Sequence, residues 1–289
     1  MRRAVIANYS RVAIALLMAL NSSGCVGALS FIDRNTAADD VAFKAGFTKR
    51  YLKAPPFTLT GYNRFNSSGK PLRVYIEGDG CAWQSRRRLS IDPTPKQPMA
   101  LRLAALDAYD NLAYIARPGQ YLAPDSVLCD PAYWSQRRFS PEVVNSLNQS
   151  IDELKRDSGA SKIELIGYSG GGGLSVLIAS KRNDVLSVRT IAGNLDTEAL
   201  CEYHRVSPLT GSLNPIDAAR DIAAILQYHF VGTKDDVVPP FIAEKFFKVS
   251  GRPNTIRVIY VKGATHTDGW REHWPDLLDT FEQCPNHAF

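Results

Sequence analysis

Residues 164–180 read ELIGYSGGGGLSVLIAS, one serine set among five glycines between two apolar runs. Ordered glycine costs conformational entropy, so such a cluster marks backbone that turns too tightly, or approaches too closely, for a side chain. The run KIELI before the turn reads as a buried strand, and a helix is predicted from near Gly170. A serine at such a strand-to-helix turn, here in the pattern Gly167-x-Ser169-x-Gly171, presents its hydroxyl at the top of the sheet, and small neighbours relieve the crowding. The helix start adds unpaired N–H groups and a positive dipole end, both suited to a developing oxyanion. A phosphate-binding turn fits poorly: no Gly-Lys-Ser/Thr follows, and the spacing Gly167-Tyr168-Ser169-Gly170 breaks the dinucleotide fingerprint. A purely structural turn is the other reading, so the partners of Ser169 decide.

Outward from that turn, strand-like runs alternate with helical ones. The runs PLRVYIEG, NLAYIARPG, VLSVRTIAGN, LQYHFVG and TIRVIYVKG are apolar and β-branched and end in glycine turns, and FTLTGYNRF has the alternation of an antiparallel strand. Helices are predicted at PMALRLAALDAY, GGLSVLIASKR, DAARDIAAI, PPFIAEKFFKV and EHWPDLLDTFEQ, and at VVNSLNQSIDELKRD behind a Ser140 cap and Pro141. Strand alternating with helix predicts an α/β domain with a mostly parallel central sheet and helices on both faces. The longest irregular pieces, residues 78–97 and 194–215, are too short for a large cap domain.

A serine hydroxyl needs a base, and the base needs an acid to fix its tautomer. Of five histidines, His266 lies in a loop after the last predicted strand; His229 falls inside a strand as a core residue, and His204, His273 and His287 fall in a loop, a helix and the tail. Asp235 and Asp236 follow the penultimate strand, and Asp196, better placed as a helix cap, is an outside candidate for the acid.

Gly232-x-x-Asp235 followed by Val238-Pro239, with Ser169 in its turn and His266 in its loop, resembles the α/β-hydrolase fold, which uses the chain order Ser, Asp, His. The resemblance spans nearly all of residues 57–283. It implies a Ser169–His266–Asp235 triad, with Asp236 a solvated neighbour, and no metal or organic cofactor. It also implies an oxyanion hole in VYIEGDGCAW, where Glu77 replaces the usual histidine. The donors implied are the Asp79 and Gly170 amides, with Gly80 the alternative to Asp79. Within that fold, IEGDGCAW, ARPGQY, YWSQRRFSPEVV and LTGSLNP resemble a group of bacterial exported hydrolases of unassigned substrate. Trp134 and Phe139 read as core or docking residues.

Arg2, Arg3 and Arg11 precede the apolar run VAIALLMAL and the small-residue stretch Asn21-Ser22-Ser23-Gly24-Cys25, the layout of a secretory signal peptide. SSGC resembles a lipobox, which implies lipidation at Cys25, and Val26 behind it implies outer-membrane sorting; Ser22 departs from the usual aliphatic residue. The apolar run is short for an uncleaved membrane anchor. The expected organisation is a signal peptide over residues 1–24, a polar tether over 25–55 and the hydrolase domain over 56–289, exported to the cell envelope. Without residues 1–24 the chain has 31 basic against 29 acidic residues, a formal charge of +2 that argues for no nucleic-acid partner. Cys81, Cys129, Cys201 and Cys284 remain, an even number in an exported chain, which favours two disulfides. Three pairings are open, of which Cys81 with Cys129 and Cys201 with Cys284 is preferred; the spacings are too long for a zinc site.

These readings predict a serine hydrolase that cleaves small or medium acyl esters through an acyl-enzyme. Two rivals are a non-catalytic hydrolase-like binding protein of the envelope and a deacylase acting on a polymer. Arg86, Arg87 and Arg88 are candidates to select an acidic substrate, or else a solvated basic loop.

Overall fold

The computed structural model describes residues 25–85, 87–123, 129–251 and 253–282, with the backbone alone for 25–33 and 281–282. Arg86, Cys284, His287 and the signal segment over residues 1–24 lie outside the described residues.

Eight strands form one sheet: β1 (Thr48–Ala54), β2 (Phe57–Phe65), β3 (Leu72–Ile76), β6 (Asn111–Ile115), β7 (Ile163–Tyr168), β8 (Val185–Ile191), β9 (Leu226–Gly232) and β10 (Ile256–Val261). Their spatial order is β1-β2-β6-β3-β7-β8-β9-β10. The first two junctions are antiparallel and the others parallel. A short exposed hairpin, β4 (Trp83–Ser85) with β5 (Arg88–Leu89), stands apart. The helices are α1 (Cys25–Lys44), α2 (Met99–Leu106), α3 (Pro141–Ser158), α4 (Gly170–Ala179), α5 (Thr197–His204), α6 (Phe241–Val249) and α7 (Trp270–Glu282).

Period-two alternation sends successive strand residues to opposite faces, and here both faces are dry. Leu72, Val74 and Ile76 of β3 belong to the apolar cluster that α3, α4 and α6 complete, while Tyr75 between them belongs to the one completed by α1, α2 and α7. Val143, Leu147, Ile151 and Leu154, at helical spacing on α3, supply the apolar stripe that the first face needs. Ser140 caps that helix by accepting from the Val143 amide at 3.4 Å, and Gly159 ends it in the left-handed conformation.

Toward the amino ends of β3 and β7 the sheet buries an ionic network. Arg73 Nε donates to Glu164 Oε2 at 2.7 Å and Arg73 Nη1 to Asp107 Oδ1 at 3.1 Å. Arg189 Nη1 donates to the same Glu164 oxygen at 3.2 Å, and the Tyr75 hydroxyl to Asp107 at 2.6 Å.

Three sequence expectations change. Residues 25–55 are not a loose tether: α1 buries Ala38 and Ala42 in the core, and β1 pairs with β2 along its whole length. Asp39 holds the junction, accepting from the Tyr62 hydroxyl at 2.6 Å and pairing with Lys49 at 2.9 Å. The polar composition concealed this, because two alanines one turn apart make a narrow apolar stripe. Residues 217–225 form no α-helix; a 3-10 helix (Pro215–Ala218) continues into turns with i to i−3 bonds, such as Ala223 to Arg220, that tighten the chain into β9. Cys81, Cys129 and Cys201 are free thiols, so the preferred Cys81–Cys129 bridge is not formed.

Candidate active site

Ser169 sits between β7 and α4 with φ 52° and ψ −118°, a conformation that a side-chain-bearing residue holds only when its surroundings enforce it. Three backbone bonds do so: the Ser169 amide donates to the Ile191 carbonyl at 2.8 Å, and its own carbonyl accepts from the Gly172 and Asn194 amides. The glycines allow the close approach. A Cβ on Gly167 would lie 2.2 Å from the Gly171 carbonyl oxygen, and one on Gly171 2.2 Å from that of Ile76, so α4 crosses over β7 and β3 at backbone contact.

His266 and Asp235 converge on this serine from two other loops. His266 Nε2 is 3.1 Å from Ser169 Oγ, and its Nδ1 is 3.0 Å from Asp235 Oδ2. With the ring proton on Nδ1, the imidazole donates to the carboxylate and accepts from the hydroxyl, the arrangement that lets it take the serine proton. Asp235 is buried, and its other oxygen accepts from the Val237 and Val238 amides at 2.9 and 2.8 Å, which fixes the carboxylate. The His266 carbonyl accepts from the Tyr168 hydroxyl at 2.8 Å and the Trp270 indole at 3.0 Å, anchoring the loop.

The other sequence candidates lie elsewhere. Asp236 is exposed beside its buried neighbour. Asp196 caps α5 by accepting from the Ala199 amide at 3.1 Å. His229 is enclosed, bonded to Thr190 Oγ1 at 2.8 Å, and burial pushes its imidazole down to about 3. His204 contacts the Val237 carbonyl, and His273 lies exposed on α7. Trp134 and Phe139 are core residues.

The loop after β3 lies over the serine: a Cβ on Gly78 would come within 3.3 Å of Ser169 Cβ. Both sides of Gly78 are pinned. Its amide donates to Glu77 Oε1 at 2.9 Å, and its carbonyl accepts from Gln120 Nε2 at 2.9 Å. In a trans peptide the N–H points opposite the preceding C=O, so Gln120 aims the Asp79 N–H away from itself. Gly80 is exposed, has φ 65°, and is backed against the Pro93 carbonyl, where a Cβ would lie 2.1 Å away. As the first residue of α4, Gly170 has an amide with no acceptor inside the helix.

Glu77 occupies the buried floor of this loop and also accepts from the Ala100 amide at 3.3 Å and the Tyr114 hydroxyl at 3.1 Å. Burial outweighs these bonds and pushes its carboxyl up to about 7. Asp79 behaves oppositely. Burial alone would raise its carboxyl, but the Arg138 and Arg117 guanidiniums overcome that and hold it below the usual range.

Gln120, Arg117 and Arg138 had no role in the sequence reading. The segments carrying them, ARPGQY and YWSQRRF, stood out as motifs, but only the fold brings them to the loop after β3.

No protein-family model and no curated protein matches the sequence. Solved structures do match. An esterase of Pyrococcus furiosus superposes with a TM-score of 0.60 at 12% identity, covering 84% of this chain and 93% of its own. Est1E from Butyrivibrio proteoclasticus gives 0.57 at 14%, covering 81% and 97%. The acylaminoacyl peptidase of Pyrococcus horikoshii gives 0.59 at 14%, and this chain spans 43% of its length. The chain has the α/β-hydrolase fold. In that fold Ser169, Asp235 and His266 occupy three loops at the carboxyl ends of β7, β9 and β10, and among the described residues no large cap covers them.

Proposed function

We infer that the protein is a serine hydrolase acting on carboxylic esters. The observation that carries this is the continuous Ser169 Oγ, His266 Nε2, His266 Nδ1, Asp235 Oδ2 relay, with links of 3.1 and 3.0 Å, at the positive end of a helix. Ser169 attacks the ester carbonyl as His266 takes its proton. The Asp79 and Gly170 amides receive the oxyanion, and His266 returns the proton to the departing alcohol. Water, deprotonated by the same imidazole, then cleaves the acyl-enzyme. Esters are favoured because an alkoxide leaves with less assistance than an amine, and the matched esterases support that class.

The pattern of residues 1–25 supports export and lipidation at Cys25. The anchor would then be α1 itself, whose nine helical steps from Cys25 to Arg34 span about 14 Å and hold the body close to the bilayer.

The test is labelling with a neutral fluorophosphonate followed by peptide mapping, alongside Ser169→Ala. Label confined to Ser169, and ester turnover lost in a variant of unchanged Tm, is the expected result. Folded protein that neither labels nor turns over esters would support the non-catalytic binding reading.

A further inference from the structure

We propose that Arg138, backed by Arg117, forms a subsite for an anionic group, carboxylate or phosphate, on the substrate of the Ser169 centre. The proposal rests on the hydrolase reading and narrows it to a substrate class.

Asp79 links the two arginines to the nucleophile. Its Oδ1 lies against the first turn of α4, where a Cβ on Gly170 would come within 2.1 Å of it. Arg117 is almost enclosed, with 4% of its side chain exposed, and both terminal nitrogens are committed: Nη1 donates to Asp79 Oδ1 at 2.7 Å and Nη2 to the Arg138 carbonyl. Arg138 is different. Its Nε lies 3.2 Å from Asp79 Oδ2 without the alignment of a hydrogen bond. Its two terminal nitrogens have no protein acceptor among the described residues and are not sealed from solvent, although only 16% of the side chain is exposed.

Asp79 is the one carboxylate in ion-pair contact with either guanidinium among the described residues. Two largely desolvated cations therefore share a single partner beside the nucleophile, and the second retains a planar pair of donors. Desolvating a guanidinium is costly unless its N–H groups are satisfied, and its fork geometry matches a bidentate carboxylate or phosphate. Contacts of about 3 Å on either side of the Asp79 carboxylate place the Arg138 head on the order of 6–8 Å from the Gly170 amide. That is the reach of a short dicarboxylic monoester or of an acyl ester of a short hydroxy acid. Of the arginines first suggested by the sequence, Arg87 and Arg88 are exposed on the β4–β5 hairpin, and Arg86 lies outside the described residues.

The experiment compares kcat/KM for matched esters, monomethyl glutarate against methyl hexanoate and 3-acetoxypropanoate against butyl acetate, in the wild type and Arg138→Gln. Fluorophosphonate labelling of Ser169 is measured in parallel. The anionic member of at least one pair is expected to be preferred by tenfold or more, with that ratio falling at least tenfold in the variant. Should Arg138→Gln fail to fold, the wild type alone decides: glutarate or inorganic phosphate should slow labelling of Ser169, and chloride at matched ionic strength should not. Labelled protein with no anion preference and no protection overturns the subsite and leaves the hydrolase reading intact. An equal loss on both members of each pair also overturns it, making Arg138 a support for Asp79. Folded wild type that neither labels nor turns over any of the four esters overturns the hydrolase reading, and the subsite with it.

Discussion

The two ends of β3 and β7 both bury arginine beside carboxylate, and they do so in opposite ways. Toward the amino ends, Arg73 and Arg189 face Glu164 and Asp107, two cations against two carboxylates, and none of these four side chains is more than 8% exposed. At the carboxyl ends, Asp79 is the one carboxylate in ion-pair contact with Arg117 and Arg138 among the described residues, and Asp79 and Arg138 reach solvent. The closed, balanced set ties strands together and has nothing to offer a ligand. The open, unbalanced set borders the nucleophile and has donors to spare. Charge balance and access, more than burial itself, separate a structural ion network from a recognition site.

Substitutions at the two ends should therefore move different observables. The largest effect belongs to the carboxyl end, where Asp235→Asn should lower kcat about 10⁴-fold by removing the acceptor that fixes the imidazole tautomer. Asp236→Asn, one residue away and exposed, should change it little; the reverse order in steady-state kinetics would move the acid by one position. Next comes Glu164→Gln at the amino end. Leaving Arg73 and Arg189 short of a carboxylate should cost about 3–5 kcal/mol in denaturant unfolding, with turnover per folded molecule unchanged. A loss of turnover without loss of stability would erase the contrast between the two ends.

Glu77, beneath the loop after β3, gives a smaller effect with a definite sign. Its carboxyl lies near 7 in the folded protein against 4.5 ordinarily, so between those values the native chain holds a proton that the unfolded chain has released. Stability is then greatest below the unfolded value and falls as pH rises through about 7. Relative to Glu77→Gln, the wild type should lose on the order of 2–3 kcal/mol between pH 5 and 8. A difference that stays flat with pH would show that the three donors around Glu77 sustain its ionised form. Smallest of all, Arg87→Gln with Arg88→Gln should shift stability by less than about 0.5 kcal/mol and leave the ester preference alone, because both side chains are solvated.

Much of the centre is local information. A strand followed by Gly-Tyr-Ser-Gly-Gly and an apolar helix specifies the turn and the hydroxyl at its tip, because the chain is allowed that path only with glycine at the crowded positions. Asp235 and His266 were legible for a similar reason, each following an apolar strand at a loop. The docking of α1 was not, since Ala38 and Ala42 become core residues only once the opposing face of Tyr62 and Leu103 is in place. The tight turns over residues 219–225 were not legible either, because an alanine-rich segment favours a helix until the entry to β9 constrains it.

The sequence by itself determined the alternation of strand and helix, the glycine turn around Ser169 and the loops that carry its partners, since each depends on periodicity or backbone sterics within a few residues. Only the tertiary structure decided which charges meet. Asp79, Arg117 and Arg138 span sixty residues of chain, and the motifs that carry them give no sign that the three charges meet. Their pairing follows from the parallel strands β3 and β6, which bring the two connections that follow them to one edge of the sheet, where burial makes a spare guanidinium significant.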